Sequence, residues 1–317
     1  MPSASVRDRL RITPAVVDAL AAGSPVVALE STLISHGLPY PENLRVARAS
    51  ESAVVDSGAV PATVAIRDGE LLVGLDDASL EALACAPAGS VRKAARPTLA
   101  AALTADGWSA TTVSATMIAA AAAGIDVFAT GGIGGVHRGA LGASGRRPST
   151  FDISSDLEEL ARTPMVVVCA GPKAILDVPA TLEYLETRGV PVVAVGQDEM
   201  PGFYARTLGV RAPASVADAH EAAALASAHL ELGLGSAVLV CVPAPAESAL
   251  SADVTRRVIE RAIAEADQAD IGGPELTPWL LTRIAAITDG ASVRANTALI
   301  VNNASVAGGI AMEMAAR

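Results

Sequence analysis

Strand-like and helix-like stretches alternate along most of the chain, which predicts an α/β protein, layered α/β/α around a largely parallel central sheet. Three observations carry that prediction. Short apolar runs such as PVVAL, VPVVAVG and SAVLVCVP recur and suit buried strands. Ala-rich or amphipathic stretches with helical spacing separate them. Glycines or polar residues follow the runs, as turns at strand ends require. The 317 residues show no fixed-period repeat and no linker that marks a boundary. One domain over residues 1–317 is expected, with 1–24 as an N-terminal extension and helix.

The elements follow in order. SPVVALESTLISHG is a strand, PVVALE, running into a loop. PATVAIRDGELLVGL is a pair of strands around Asp68-Gly69, a dipeptide that favours a tight hairpin. ASLEALACA is mostly helical and leads towards Lys93. ATTVSATMIAAAAAGIDVFATGG predicts strand, Ala-rich helix, strand, with glycines closing the second strand. LGASGRRPST (141–150) is a polar loop. TPMVVVCAGPK is a buried strand ending in Gly-Pro-Lys, and DVPATLEYLETRG is helical. VPVVAVG is a strand, SVADAHEAAALASAHLELG a helix, and SAVLVCVP another strand. SADVTRRVIERAIAEADQAD is an amphipathic helix, and the remainder is helix-rich.

Composition narrows the function. The chain is 51% hydrophobic with 3% aromatics, so its core is built of small side chains. The net charge is −11, without a basic stripe or zinc-ligand spacing, which speaks against nucleic acid and anionic membranes as partners. The apolar run nearest to a membrane span, ATMIAAAAAGIDVFATGGIGG, is broken by Asp126 and glycines. The N-terminus MPSASVRDRLRITP lacks an apolar signal core, and a cytoplasmic location is expected. Cys85, Cys169 and Cys241 sit singly in or beside apolar segments, which favours reduced, buried thiols.

Two features point to chemistry. Among 23 basic residues only Lys93 and Lys173 are lysines. Arginine serves wherever a positive charge suffices, but it cannot shed its proton and attack a carbonyl; a desolvated lysine can. Chance survival of two surface lysines is the plain alternative. Thr130–Gly139 (TGGIGGVHRG) holds five glycines in ten residues. Such a run suits either close helix–sheet packing or a pocket whose backbone touches a small anionic ligand. In α/β sheets, ligands bind beyond the carboxyl ends of strands. Glu30, Gly131–His137, Lys173 and Asp198-Glu199 all follow apolar runs and are expected to share that edge.

The segments ALESTLISHGLPYPENL, GAVPATVAIRDGELLVGL, TTVSATMIAAAAAGIDVFATGGIGGVHRG, TFDISSDLEELARTPMVVVCAGPKAILD and ANTALIVNNASVA span most of the chain. In them the sequence resembles the pseudouridine-5′-phosphate glycosidases, the indigoidine synthase A-like family. The resemblance implies reversible cleavage of the C–C bond between uracil and ribose 5-phosphate, with a manganese ion in the site. The leaving atom is carbon, so protonation of a glycosidic oxygen is unavailable. The family instead opens the sugar ring, forms a lysine imine at the anomeric carbon and protonates uracil C5.

Residue by residue, the resemblance makes Lys173 in CAGPK the imine-forming lysine and Glu30 in ALEST the proton donor. It makes Asp152 the manganese ligand and Ser154, Ser155 and Asp156 substrate contacts. Lys93, Thr112 and Val113 match the sugar-phosphate part of the site, with Thr130 a further substrate contact. His137 falls in the pocket, and Asn296 suits a base-binding amide. A homotrimer is implied as well. Plainer roles stay open: Glu30 as the buried partner of an Arg, Asp152 as a helix cap near Ser154, and His137 as an ordinary loop histidine. His36, His220 and His229 are taken as structural or solvent-facing, and Tyr40 and Phe203-Tyr204 as packing.

Several positions depart from the family pattern. Pro172 precedes the lysine where a small residue is expected, and Pro274 stands where lysine is frequent. VAVGQDEMPGFY differs from the family's aromatic-containing version, and the stretch between His137 and Asp152 is longer than expected. Two other functions fit some of the same residues. A lysine-imine aldolase on a sugar phosphate would use Lys173 and Lys93 but no base-binding amide. A non-catalytic sugar-phosphate-binding regulator could dispense with Glu30 and Lys173.

Overall fold

The computed structural model describes residues 5–142 and 149–317, the side chain of Pro274 excepted. Most of the polar loop expected over 141–150, and the first four residues of the N-terminal extension, lie outside the described residues. The chain begins with β1 (Leu10–Ile12), α1 (Pro14–Ala21), β2 (Val26–Leu29), α2 (Thr32–His36) and α3 (Glu42–Asp56). β3 (Val60–Arg67) and β4 (Glu70–Val73) precede α4 (Asp77–Ala84), β5 (Arg92–Ala94), α5 (Leu99–Ala102) and β6 (Trp108–Thr111). Next come α6 (Val113–Ala123), β7 (Val127–Ala129), β8 (Val136–His137), α7 (Ser155–Leu160) and β9 (Val166–Cys169). β10 (Leu176–Asp177), α8 (Val178–Thr187), β11 (Val192–Val195), β12 (Ala214–Val216), α9 (Ala219–Glu231) and β13 (Val238–Cys241) follow. Three helices close the chain: α10 (Ala252–Gln268), α11 (Leu276–Ile287) and α12 (Ala291–Ala315).

Local chemistry accounts for the boundaries. β3 and β4 form the expected antiparallel hairpin, with Asp68 and Gly69 at φ 50° and 80°, the left-handed pair that a two-residue turn demands. The Ala-rich α6 stops at Gly124, which adopts the left-handed conformation that closes many helices. β1, β5 and β12, three residues each, were not expected; they are too short to show a pattern of their own.

Among the described residues, eleven strands share one sheet, in the order β1-β4-β3-β2-β7-β9-β13-β11-β12, with β6 also on β3 and β5 on β6. Every pairing from β3 through β2, β7, β9, β13 and β11 to β12 is parallel. The antiparallel pairings are those of β4 and β6 against β3, so β1 on β4 and β5 on β6 also run opposite to the rest. The central strands are apolar on both faces because helices cover both. Val26 and Ala28 join a core with Val16 of α1, Met117 of α6 and Leu185 of α8. Val27 and Leu29 join the opposite core with Val54 of α3, Ala223 of α9 and Ala307 of α12. The layered α/β/α expectation is therefore met.

Two expectations need correction. Cys169 and Cys241 are buried, but Cys85 is exposed, at the end of α4. The sequence was expected to hold no apolar run of membrane-span length, yet the 25-residue α12 meets that test by length and hydropathy. It packs against α3, α9 and the strands β2, β7 and β9, as a core helix does.

Candidate active site

The neighbours β2, β7 and β9 lie at the centre of the sheet and end side by side. Their exits carry Glu30, the Thr130–Gly139 run and Lys173, and the three converge. Asp198 and Glu199 do not join them. They follow β11, which β13 separates from β9, and they bind Ser215 and Thr207 instead.

The convergence forms one cleft with two lobes. A polar lobe of about 660 Å³ is lined by Thr112, Val113, His137, Asp152, Ser154, Ser155 and Asp156. A second lobe of about 330 Å³ is walled mainly by Leu33, Leu38, Phe203, Leu281 and Ile300, with Asn296 and His36 as its polar groups. Glu30, Thr32, Lys93, Lys173 and Thr277 border both.

Glu30 is 7% exposed, and among the described residues its partners are hydroxyls rather than an arginine. The hydroxyl of Thr32 donates to one carboxylate oxygen and that of Thr130 to the other. Thr130, expected as a substrate contact, is 2% exposed, and its hydroxyl is turned to Glu30. Thr130 holds the Glu30 carboxylate in place.

Lys173 is held by backbone. Ile133 N–H donates to Gly171 O at 3.2 Å, and Lys173 N–H donates to Ile133 O at 3.1 Å. Pro172 lies between those two groups, so the strap never calls on the N–H that proline lacks, and the departure at 172 leaves the lysine's placement intact. Lys93 is exposed by area, yet the cleft still desolvates its ammonium. That burial, followed by the charge of Lys173, lowers its pKa, while Glu30 and Asp156 oppose the shift.

The glycine run serves packing first. A Cβ on Gly132 would come within 2.5 Å of Phe203 and 2.9 Å of Gly171 O. One on Gly134 would come within 2.9 Å of Asp156 Oδ2. The bare backbone thus lets the loop fit between α7 and the Phe203 segment, while Gly131, Gly132 and Gly134 still face the cleft.

Asp156 is 5% exposed and accepts Ser114 N–H at 3.0 Å and Gly134 N–H at 2.9 Å. It fastens the start of α6 and the glycine loop to α7 while lining the polar lobe. Ser154, not Asp152, caps α7, its hydroxyl accepting Asp156 N–H. The starts of α6, at Thr112-Val113, and of α7, at Ser154-Ser155, both open on the polar lobe with Lys93. Helix N-termini and an ammonium make that end suited to an anion.

A family model described as "Indigoidine synthase A like protein" matches residues 15–313. The chain belongs to that family. Its relatives include proteins named pseudouridine-5′-phosphate glycosidase from Paracoccus denitrificans, 51% identical over 96% of this chain and 98% of its own. The one from Sorangium cellulosum is 50% identical over 98% of this chain and 95% of its own. Among solved structures, the prealnumycin C-glycosynthase AlnA in complex with ribulose 5-phosphate is 37% identical, with a TM-score of 0.87 and 97% of both chains covered. An indigoidine synthase A-like protein from Thermotoga maritima is 30% identical, with a TM-score of 0.84 and 99% of both chains covered.

Within this family member, His137 and Asp152 stand together at the edge of the polar lobe. Their side chains lie 3.8 Å apart, and His137 N–H donates to Asp152 O at 3.0 Å. Burial lowers the His137 pKa; Asp152 opposes the shift and Lys173 adds to it. Among the described residues no three His, Cys, Asp or Glu side chains cluster as a metal cage. One half-exposed carboxylate beside an imidazole fits a hard divalent cation that keeps most of its water.

Of the other histidines, His229 is buried against Ser236 and His220 pairs with Glu313 on the surface, as expected. His36 is exposed, in keeping with expectation, and it also lines the apolar lobe, where burial and then Lys93 lower its pKa. Its signal was its place in the ALESTLISHG segment that also carries Glu30. Phe203 and Tyr204 pack edge to face at 4.9 Å, and Phe203 also walls the apolar lobe. Thr32 and Thr277, both at the junction, had no sequence signal beyond their neighbours.

Proposed function

We propose that the chain is a pseudouridine-5′-phosphate glycosidase, which reversibly cleaves the C–C bond to uracil and ribose 5-phosphate through an imine on Lys173. The observation that carries this reading is the two-lobed cleft with Lys173 and Glu30 at its junction. A sugar phosphate fits the polar lobe, its phosphate toward Lys93 and the starts of α6 and α7. A flat base fits the apolar lobe, where Asn296 offers an amide to its polar edge. The scissile bond then lies where the lobes meet. The relatives named as glycosidases and the C-glycosynthase neighbour support the same reading. An aldolase or a non-catalytic regulator would leave the second lobe and Glu30 without a task.

In the forward direction the C1′–O4′ bond breaks with its electron pair on O4′, the Lys173 amine bonds to C1′, and the proton the amine loses ends on O4′. Glu30 gives its proton to uracil C5. As the C1′–C5 bond breaks, its electron pair stays on the uracil ring, and the lysine nitrogen lone pair becomes the second bond of the imine to C1′. Water then hydrolyses the imine, releasing ribose 5-phosphate and the free amine. Asp152, with His137 beside it, would hold Mn²⁺, which when bound would supply positive charge for oxygen atoms of the substrate. A homotrimer is proposed on the resemblance alone, and a cytoplasmic location is proposed from the sequence. Incubation with pseudouridine 5′-phosphate and Mn²⁺ should release free uracil; no uracil at any enzyme concentration would overturn the assignment.

A further inference from the structure

Glu30 spends one proton on every cleavage and must recover it. It is 7% exposed, and substrate in both lobes covers the face it turns to the cleft. Beside it, next to the Leu33 and Ile300 wall of the second lobe, lies a small, partly enclosed void of about 10 Å³ whose polar lining is Glu30, Thr130, Ser50 and Thr63, the rest being apolar. That is room for one water, and four polar groups surround it. Thr63, on β3 and 2% exposed, donates its hydroxyl proton to Glu51 Oε1 at 2.5 Å. Glu51, on α3, is half-buried and has no part in the cleft.

We propose that Glu51, the Thr63 hydroxyl and one water in this void form a proton route from the outer surface to Glu30. The proposal rests on Glu30 being the acid. The route balances at each step. The Thr63 hydroxyl, which donates to ionised Glu51, turns toward the water once Glu51 is protonated; Glu51 then donates to Thr63 Oγ1, the Thr63 hydrogen passes to the water, and the water gives one of its own to the Glu30 carboxylate. Glu51 is left ionised and takes a proton back from solvent. Each oxygen on the path both accepts and donates, as a relay needs. Ser50 Oγ donates to Val46 O at 2.9 Å and keeps a lone pair for the water. Burial raises the Glu51 pKa, the Thr63 bond opposes that, Asp77 of α4 adds to it and Arg48 of α3 lowers it. The acid form is therefore within reach nearer neutrality than for a free carboxyl.

The test uses the whole enzyme with Mn²⁺ and pseudouridine 5′-phosphate. Thr63→Val keeps the shape and removes the hydroxyl; Glu51→Gln removes the proton source and, on a half-buried helix position, guards against a folding failure at Thr63. Each should lower kcat about tenfold, less than the roughly 10²-fold expected for loss of the acid itself. KM and borohydride trapping of ribose 5-phosphate on Lys173 should be unchanged, the solvent deuterium isotope effect on kcat should rise, and Thr63→Ser should recover activity. A high-resolution crystal structure should show a water bonded to Glu30 and Thr63. Wild-type kcat and isotope effect in both variants would overturn the route. A lowered kcat with an unaltered isotope effect would do so too, marking a structural role. A dry void in the crystal would overturn it whatever the kinetics, whereas failure of the wild type to release uracil would overturn the glycosidase reading instead.

Discussion

Replacing Glu30 with glutamine separates the acid's chemistry from its structural role. The side chain keeps its length and its site between Thr32 and Thr130. Both threonines donate to Glu30, so one hydroxyl must turn and accept from the new amide. That adjustment costs about 1 kcal/mol, one net hydrogen bond, against a folding stability of roughly 5–15 kcal/mol. The variant should therefore fold. Chemistry suffers far more, because an amide has no proton to give to C5. Uracil release should fall about 10²-fold or more, the usual scale of general-acid catalysis, which is about 2.7 kcal/mol of transition-state stabilisation. Imine formation does not need that proton. Borohydride with ribose 5-phosphate should still add one sugar to the peptide holding Lys173, read by mass spectrometry. Uracil is measured in parallel by chromatography. Near-normal uracil release from Glu30→Gln would refute the reasoning and move the proton to another group, such as His137.

Three further outcomes follow from the same geometry. Lys173→Arg should be folded yet inactive, since it keeps the charge and loses the usable lone pair, and sugar trapped on Lys93 instead would overturn the assignment. Asp152→Asn should raise the Mn²⁺ concentration needed for activity, and full wild-type activity in excess chelator would sink the metal's role. Asp156→Ala should destabilise the fold by about 3 kcal/mol, because the Ser114 and Gly134 N–H groups lose a shared charged acceptor; urea denaturation with an unshifted midpoint would show that the clamp carries no stability.

Much of the fold was legible locally. VVAL, VFA, VVVC and VLVC are apolar without interruption over three or four residues, as strands buried on both faces are, so they were found. β12 was missed because ASV carries no such run; it is a strand because β11 lies beside it. The chemistry-bearing side chains Glu30, Lys93, Lys173, His137 and Asp152 were identified on motif and on residue type, and all five line the cleft. Asn296 lies with them through the apolar lobe.

What the residues alone could not contain is who meets whom. Strand order placed β13 between β9 and β11, and so removed Asp198 and Glu199 from the cleft that chain order had suggested they share. The same order made β2, β7 and β9 neighbours, which put the Thr130 hydroxyl against Glu30 across a hundred residues. Asp156 became a clamp because two backbone N–H groups from distant segments turn toward it. Periodicity and residue chemistry are properties of a short stretch of chain, so sequence by itself determined the elements and the reactive groups. Partners, burial and the shape of a cleft arise only when elements far apart in sequence pack, so tertiary structure alone decided which of those groups act together.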